Sequence, residues 1–132
     1  AHKDRNSDIS LPSDSLFLPS SALLTEQALT AVSLLGDALL VVGNRIDVAG
    51  HTDPRPIATW EYPSNWELSL ARAISVAASF RRAGYTSPVA AIGYGDSRYD
   101  EIRDAIDEDE KLLKARRVDV IIREGSGQSY DP

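Results

Sequence analysis

The sequence predicts a two-layer α/β (α+β) sandwich with the order β-α-β-α-β-(α)-β and its helices on one face of a mixed sheet. Three observations predict it. Short apolar stretches at 45–49, 89–92 and 117–122 have the length and the β-branched content of strands. Longer stretches before and between them, near 25–42 and 64–83, repeat their apolar residues at helical spacing. A glycine closes each helical stretch, Gly43 and then Gly84. Strands that alternate with helices in this way bury one helical layer against one sheet.

Taken in order, residues 1–8 are polar and read as a flexible lead, 9–123 as one domain, and 124–132 as a flexible polar tail. Ile9, Leu11, Leu16 and Leu18 suggest a strand, or two pieces broken at Pro12 and Pro19, with Ser15–Leu18 the better candidate. Thr25 caps the first long helix, and Leu24, Ala28, Ala31, Leu35 and Leu39 form its buried stripe. Arg45-Ile46-Asp47-Val48-Ala49 alternates as a strand. After a turn with Pro54 and Pro56, Ser64 caps the second helix, and Glu67 three residues on completes a capping box. Trp66, Leu70, Ile74, Ala77 and Phe80 make its expected buried stripe. Val89–Ile92 is continuously apolar and is expected at the centre of the sheet. Ile102, Ile106 and Leu113 could support a short helix on an acidic block at 100–110, whose plainer reading is a solvated loop. Arg117–Ile122 is the last strand.

The composition narrows the functional classes. With 132 residues, the chain can bury a core without staples. It has no cysteine, which excludes disulfides and thiolate metal sites. A net charge of −6 argues against nucleic acid, whose phosphates need a basic surface. No apolar run approaches the ~18 residues of a membrane span, so any membrane attachment would come from a segment absent from this sequence. The absence of methionine is read the same way, as the mark of a soluble portion of a longer protein.

Val48–Asp53 runs from a strand end into a polar turn, and Ser64–Ala73 opens the helix that follows. Asp53, Asn65 and Arg72 therefore surround one strand-to-helix connection, where α/β folds tend to hold ligands. Each has a plainer reading. Asp53 could cap its own turn, and Asn65 could support the helix start. Arg72 lies roughly 160° from the expected apolar stripe and could be a solvated surface arginine. His51, Asp53 and Ser64 do not make a catalytic triad, since no serine sits on a Gly-x-Ser-x-Gly elbow. Two histidines, one of them His2 in the polar lead, do not make a zinc site. His51 is expected to be packed and bonded to backbone.

Gly50-His51-Thr52-Asp53, Asn65 seven residues before Arg72, Gly93-Tyr94-Gly95 and Arg116-Arg117-Val118 occur in that order. Together they resemble the OmpA-like peptidoglycan-binding domain, over about residues 9–123. Pro63–Ser69 is most similar to the branch of flagellar stator proteins of the MotB type. The resemblance implies a non-catalytic, cofactor-free domain, periplasmic and attached to the cell envelope. It would anchor its protein to the cell wall by gripping the diaminopimelate of the peptidoglycan stem peptide. An alternative is a protein-interaction or scaffold domain of an envelope or secretion assembly with a degraded wall site. The implied site residues are Asp53 for the ligand's ammonium, Arg72 for its carboxylate, and Asn65, Thr52 and Arg117 beside them. Ala115 stands where the family pattern has asparagine. Because stator subunits pair, the resemblance also implies a homodimer for the full-length protein. This chain alone shows no obvious apolar patch in sequence and is expected to be a monomer or a weak dimer.

Overall fold

The computed structural model describes residues 6–124. The flexible ends expected at 1–8 and 124–132 fall mostly outside those residues, but strand β1 (Ser7–Pro12) already begins inside the expected lead. A short helix α1 (Ser13–Leu16) follows, then α2 (Glu26–Leu39), β2 (Ile46–His51), α3 (Asn65–Arg82), β3 (Val89–Gly93), a 3-10 turn (Tyr99–Glu101), α4 (Glu108–Ala115) and β4 (Arg117–Ile122). The four strands form one sheet in the order β1-β4-β2-β3. β4 runs antiparallel to both β1 and β2, and β2 pairs in parallel with β3. This is the mixed sheet with a helical layer that the alternation of elements predicts.

Strand alternation divides the sheet into two unlike faces. Ile46 and Val48 of β2, Val118 and Val120 of β4 and Val89 of β3 join Ala73, Val76, Ala77 and Phe80 of α3 in one core. The opposite face carries Asp47 between Arg45 and Arg123, each 3.3 Å away, and Asp119 beside Arg117 and His51.

Both predicted caps are present. Thr25 accepts from the Ala28 amide of α2, and Ser64 accepts from the Trp66 amide of α3 while bonding Glu67. Several expectations need correction. Ser15–Leu18 is not the first strand: the Ser13 amide bonds Arg116 O at 2.9 Å, which turns the chain into α1, and the strand lies upstream. β3 is an edge strand, apolar because α3 lies across it rather than because it is central. In α2, Val32 and Gly36 face the core in place of Ala31. α2 and the turn after it also leave Leu34 and Val41 exposed, an apolar surface that the sequence reading does not anticipate. Much of the acidic block is helical: Asp107 caps α4, and Glu108, Asp109 and Glu110 occupy its first turn, where the helix dipole favours anions.

The largest correction is the rotation of α3. Ala77 and Phe80 are buried as expected, but Trp66 and Ile74 are exposed, and the buried face also takes in Leu68, Ser69, Arg72, Ala73, Val76 and Ser79. The cause lies in the strands. A Cβ on Gly50 would meet Ser69 O at 2.1 Å, and one on Gly93 would meet the Leu70 backbone N at 2.7 Å. The helix backbone rests directly on the two strands at these glycines, which fixes the rotation of α3. Trp66 and Ile74 are turned outward, while Val76 and Phe80 are fully buried beside the contact.

Candidate functional site

The site forms where β2 ends and α3 begins. Thr52 and Asp53 follow β2 directly, and both are buried. The Thr52 amide donates to Gly95 O at 2.8 Å, and the Gly95 amide donates to Ser69 Oγ at 2.9 Å. Gly95 has φ +57, a left-handed conformation that glycine adopts without strain. The turn after β3 thus ties the end of β2 to the first turns of α3. Asn65 closes the connection from its other side: its amide nitrogen donates to Arg55 O at 3.1 Å and Asp53 O at 3.3 Å.

Asp53 is heavily engaged. Its Oδ1 accepts from the Arg55 amide at 2.9 Å. Its Oδ2 accepts from Arg55 Nε at 3.1 Å, Arg55 Nη2 at 2.7 Å and Arg116 Nη1 at 2.7 Å. Burial alone would raise the proton affinity of this carboxyl, but the bonds from Arg55 and Arg116 outweigh it and hold Asp53 below the usual carboxylate range. Arg116 is fixed by Asp14, whose carboxylate accepts from its Nε at 3.0 Å and its Nη2 at 3.0 Å.

Arg72 is not a solvated surface arginine. It is buried, its Nε donates to Ser21 O at 2.8 Å, its Nη2 to Leu18 O at 3.3 Å, and its guanidinium lies 4.9 Å from the Phe17 ring centre. No carboxylate among the described residues comes within ion-pair distance of it, and burial lowers its proton affinity. Thr52 Oγ1 is likewise buried and has no hydrogen-bond partner among the described residues. Asp53, Arg72, Thr52, Asn65, Arg55 and Arg116 all line one cleft of about 550 Å³. The cleft therefore combines a buried anion with a buried cation that lacks a counter-ion among the described residues, an arrangement suited to a ligand carrying both charges.

Of the residues singled out from sequence, Asp53, Arg72, Asn65 and Thr52 come together here. Arg117 does not. It opens β4 with its side chain on the opposite face of the sheet, where its Nε donates to Asp119 at 3.1 Å. The arginine at the cleft is its neighbour Arg116. Adjacent residues at the start of a strand point to opposite sides, so the Arg-Arg pair serves both faces. Asp14 and Arg55 escaped the sequence reading. Arg55 stands between two prolines beside Asp53, which is a local signal of sorts. Asp14 is distant in sequence and carries no signal. His51 is packed as expected, but against Asp119 rather than backbone: Nε2 lies 3.5 Å from Asp119 Oδ2, and the ring stacks on Tyr94 at 5.1 Å. Its Nδ1 is buried without a partner among the described residues.

Among the described residues, no cluster of His, Cys, Asp or Glu could hold a metal ion. Nor is any helix among them long and apolar enough to cross a membrane.

A mixed four-stranded sheet with this cleft at the end of β2 defines an OmpA-like fold, and comparison with known proteins agrees. The OmpA family model matches residues 16–112. The chain belongs to the OmpA family. The uncharacterized protein YtxE of Bacillus subtilis (strain 168) is 34% identical over 116 residues, which cover 86% of this chain and 47% of that protein. The chain thus spans about half the length of this curated relative. The cell wall anchor of the T6SS from Pseudomonas aeruginosa superposes with a TM-score of 0.78 at 34% identity, over 89% of this chain and 80% of that one. A putative MotB like protein from Desulfovibrio vulgaris gives a TM-score of 0.75 at 25% identity, over 89% and 75% of the two chains.

Proposed function

We propose that this domain anchors a cell-envelope protein to peptidoglycan without catalysis, on the periplasmic side of the membrane, and that its cleft grips the diaminopimelate of the stem peptide. The observation that carries this reading is Arg72: a buried guanidinium with no carboxylate partner among the described residues, opening on the same cleft as the buried carboxylate of Asp53. An unpaired buried charge is costly, and a ligand carboxylate would relieve it. A guanidinium forks onto a carboxylate with two parallel bonds. Diaminopimelate presents a carboxylate and an ammonium on one carbon, which matches Arg72 and Asp53. Thr52 Oγ1 supplies a further polar contact, and Asn65 holds the loop that carries Asp53. The likeness to a T6SS cell wall anchor and to a MotB like protein supports the wall as partner. A motor stator subunit is one parent protein consistent with that likeness.

The test is co-sedimentation with purified sacculi. The parent domain should pellet with them, and Asp53→Asn should not, while keeping its fold. A stem peptide carrying diaminopimelate should compete with sacculi at least tenfold better than a stem with lysine in its place, or ~1.4 kcal/mol, and Arg72→Ala should remove that difference. Equal competition by both stems against the parent would exclude the charge-pair reading. Failure of the parent to pellet at all would exclude the wall as partner.

A further inference from the structure

We propose that Arg55 is an internal competitor for the ligand's ammonium: it holds the position on Asp53 that the ammonium takes, and binding displaces it. This rests on the reading of the cleft as a diaminopimelate site. The argument begins with saturation. Asp53 Oδ2 already accepts three bonds, two from Arg55 and one from Arg116, and Oδ1 accepts the Arg55 amide. The carboxylate is buried, and these four bonds use its roughly four acceptor sites. An arriving ammonium must therefore remove a donor that is already there.

The two arginines differ in how easily they leave. The Arg116 side chain is 24% exposed and is tied by further bonds to Asp14, so its departure would break two ion pairs. The Arg55 side chain is 63% exposed, and among the described residues its guanidinium bonds Asp53 alone. It can swing into water, where a guanidinium is well solvated, at the loss of one ion pair. Its backbone need not move. The Arg55 amide stays on Asp53 Oδ1 and its carbonyl on Asn65, so the loop remains closed around the incoming ligand.

Like charge adds to the effect. The Arg55 and Arg116 guanidinia converge on the same oxygen and repel each other. A compact ammonium replaces the more exposed of the two. Arg55 would thus set affinity and favour ligands whose cation can reach Asp53.

The experiment is equilibrium titration of free diaminopimelate into the parent, Arg55→Ala, Arg55→Lys and Asp53→Asn, with and without Arg55→Ala. The expected result is binding at least threefold tighter for Arg55→Ala, intermediate for Arg55→Lys, and lost in both Asp53→Asn proteins. In the parent, diaminopimelate should also move the Arg55 Nε–H resonance towards that of a solvated arginine. Arg55→Ala binding no better than the parent, or more weakly, overturns the proposal and leaves the diaminopimelate site standing. If no protein in the set binds diaminopimelate, the site reading fails and this inference falls with it.

Discussion

Replacing Gly50 by alanine should lift α3 off the sheet and unmake the cleft. A Cβ at this position would stand 2.1 Å from Ser69 O and 2.9 Å from Ser69 C. Non-bonded heavy atoms settle at about 3.5 Å, so α3 must retreat by roughly 1 Å or β2 must bend. Both obstructing atoms are backbone, so no side chain can rotate out of the way. Overpacking of a tight core costs about 1–3 kcal/mol, and a backbone-on-backbone clash belongs at the upper end. About 3 kcal/mol corresponds to a fall in Tm on the order of 10 °C for a domain of this size. The displacement is also aimed at the site. Ser69 Oγ holds Gly95, Gly95 holds Thr52, and Arg72 lies one turn further along α3. Sacculus binding should therefore fall by more than the unfolded fraction explains. Urea denaturation measures the stability, with Gly36→Ala as the control. There the new Cβ meets Phe80 Cδ1 at 3.1 Å, a ring atom that must give by a few tenths of an ångström, and Ala83 Cβ and Phe80 Cα at 3.4 Å, ordinary contact distances. Alanine also gains about 1 kcal/mol over glycine inside a helix, so Gly36→Ala should stay within about 1 kcal/mol of the parent. A Gly50→Ala protein with the parent's unfolding midpoint and the parent's binding would refute the close-approach argument.

Three further outcomes are expected. Arg116→Ala should destabilise by about 2 kcal/mol, less than the full loss of a buried pair because Arg55 remains on Asp53, and should weaken sacculus binding tenfold or more. Arg117→Ala acts on the far face and should leave binding unchanged; the reverse pattern in a pull-down would reassign the pair. His51 is pulled from 6.5 to about 4, by burial first and by Arg117 next. The unfolded chain takes up this proton first on acidification, so the contribution of His51 to stability is complete above pH 6.5 and is lost as pH falls towards 4. After allowance for solvent screening the loss is about 2 kcal/mol. Urea midpoints at pH 7.5 and pH 5 should differ in the parent and converge in His51→Gln; an equal acid loss in both proteins would clear His51. Ser64→Ala should cost about 1 kcal/mol and loosen the start of α3, visible as faster amide exchange there. Unchanged protection would show that the Ser64 side chain does not hold this helix end.

Much of the architecture was legible because its determinants are local. Thr25 and Ser64 cap helices with their own hydroxyls, Gly43 and Gly84 end them with φ +71 and +103, and β4 is written in contiguous branched residues. What was misread depends on neighbours distant in the chain. The phase of α3 is one case: Trp66 and Ile74 suggested one face, whereas Gly50 of β2 and Gly93 of β3 seat Ser69 and Leu70 against the strands and turn the helix away from it. The edge position of β3 is another, since an apolar run reads alike whether helices cover one face of it or both.

The sequence by itself determined the order of elements, their caps and stops, and the placing of Asp53, Asn65 and Arg72 around one strand-to-helix connection. These follow from backbone hydrogen bonding and from spacings of a few residues. Only the tertiary structure decided that Arg72 is buried beneath the carbonyls of Leu18 and Ser21, that Arg116 rather than Arg117 meets Asp53, and that Asp14 belongs to the same charge network. Those contacts span 51, 54, 63 and 102 residues of sequence. Side chains that far apart meet only where the sheet register and the depth of α3 bring them together, and no local pattern encodes that distance.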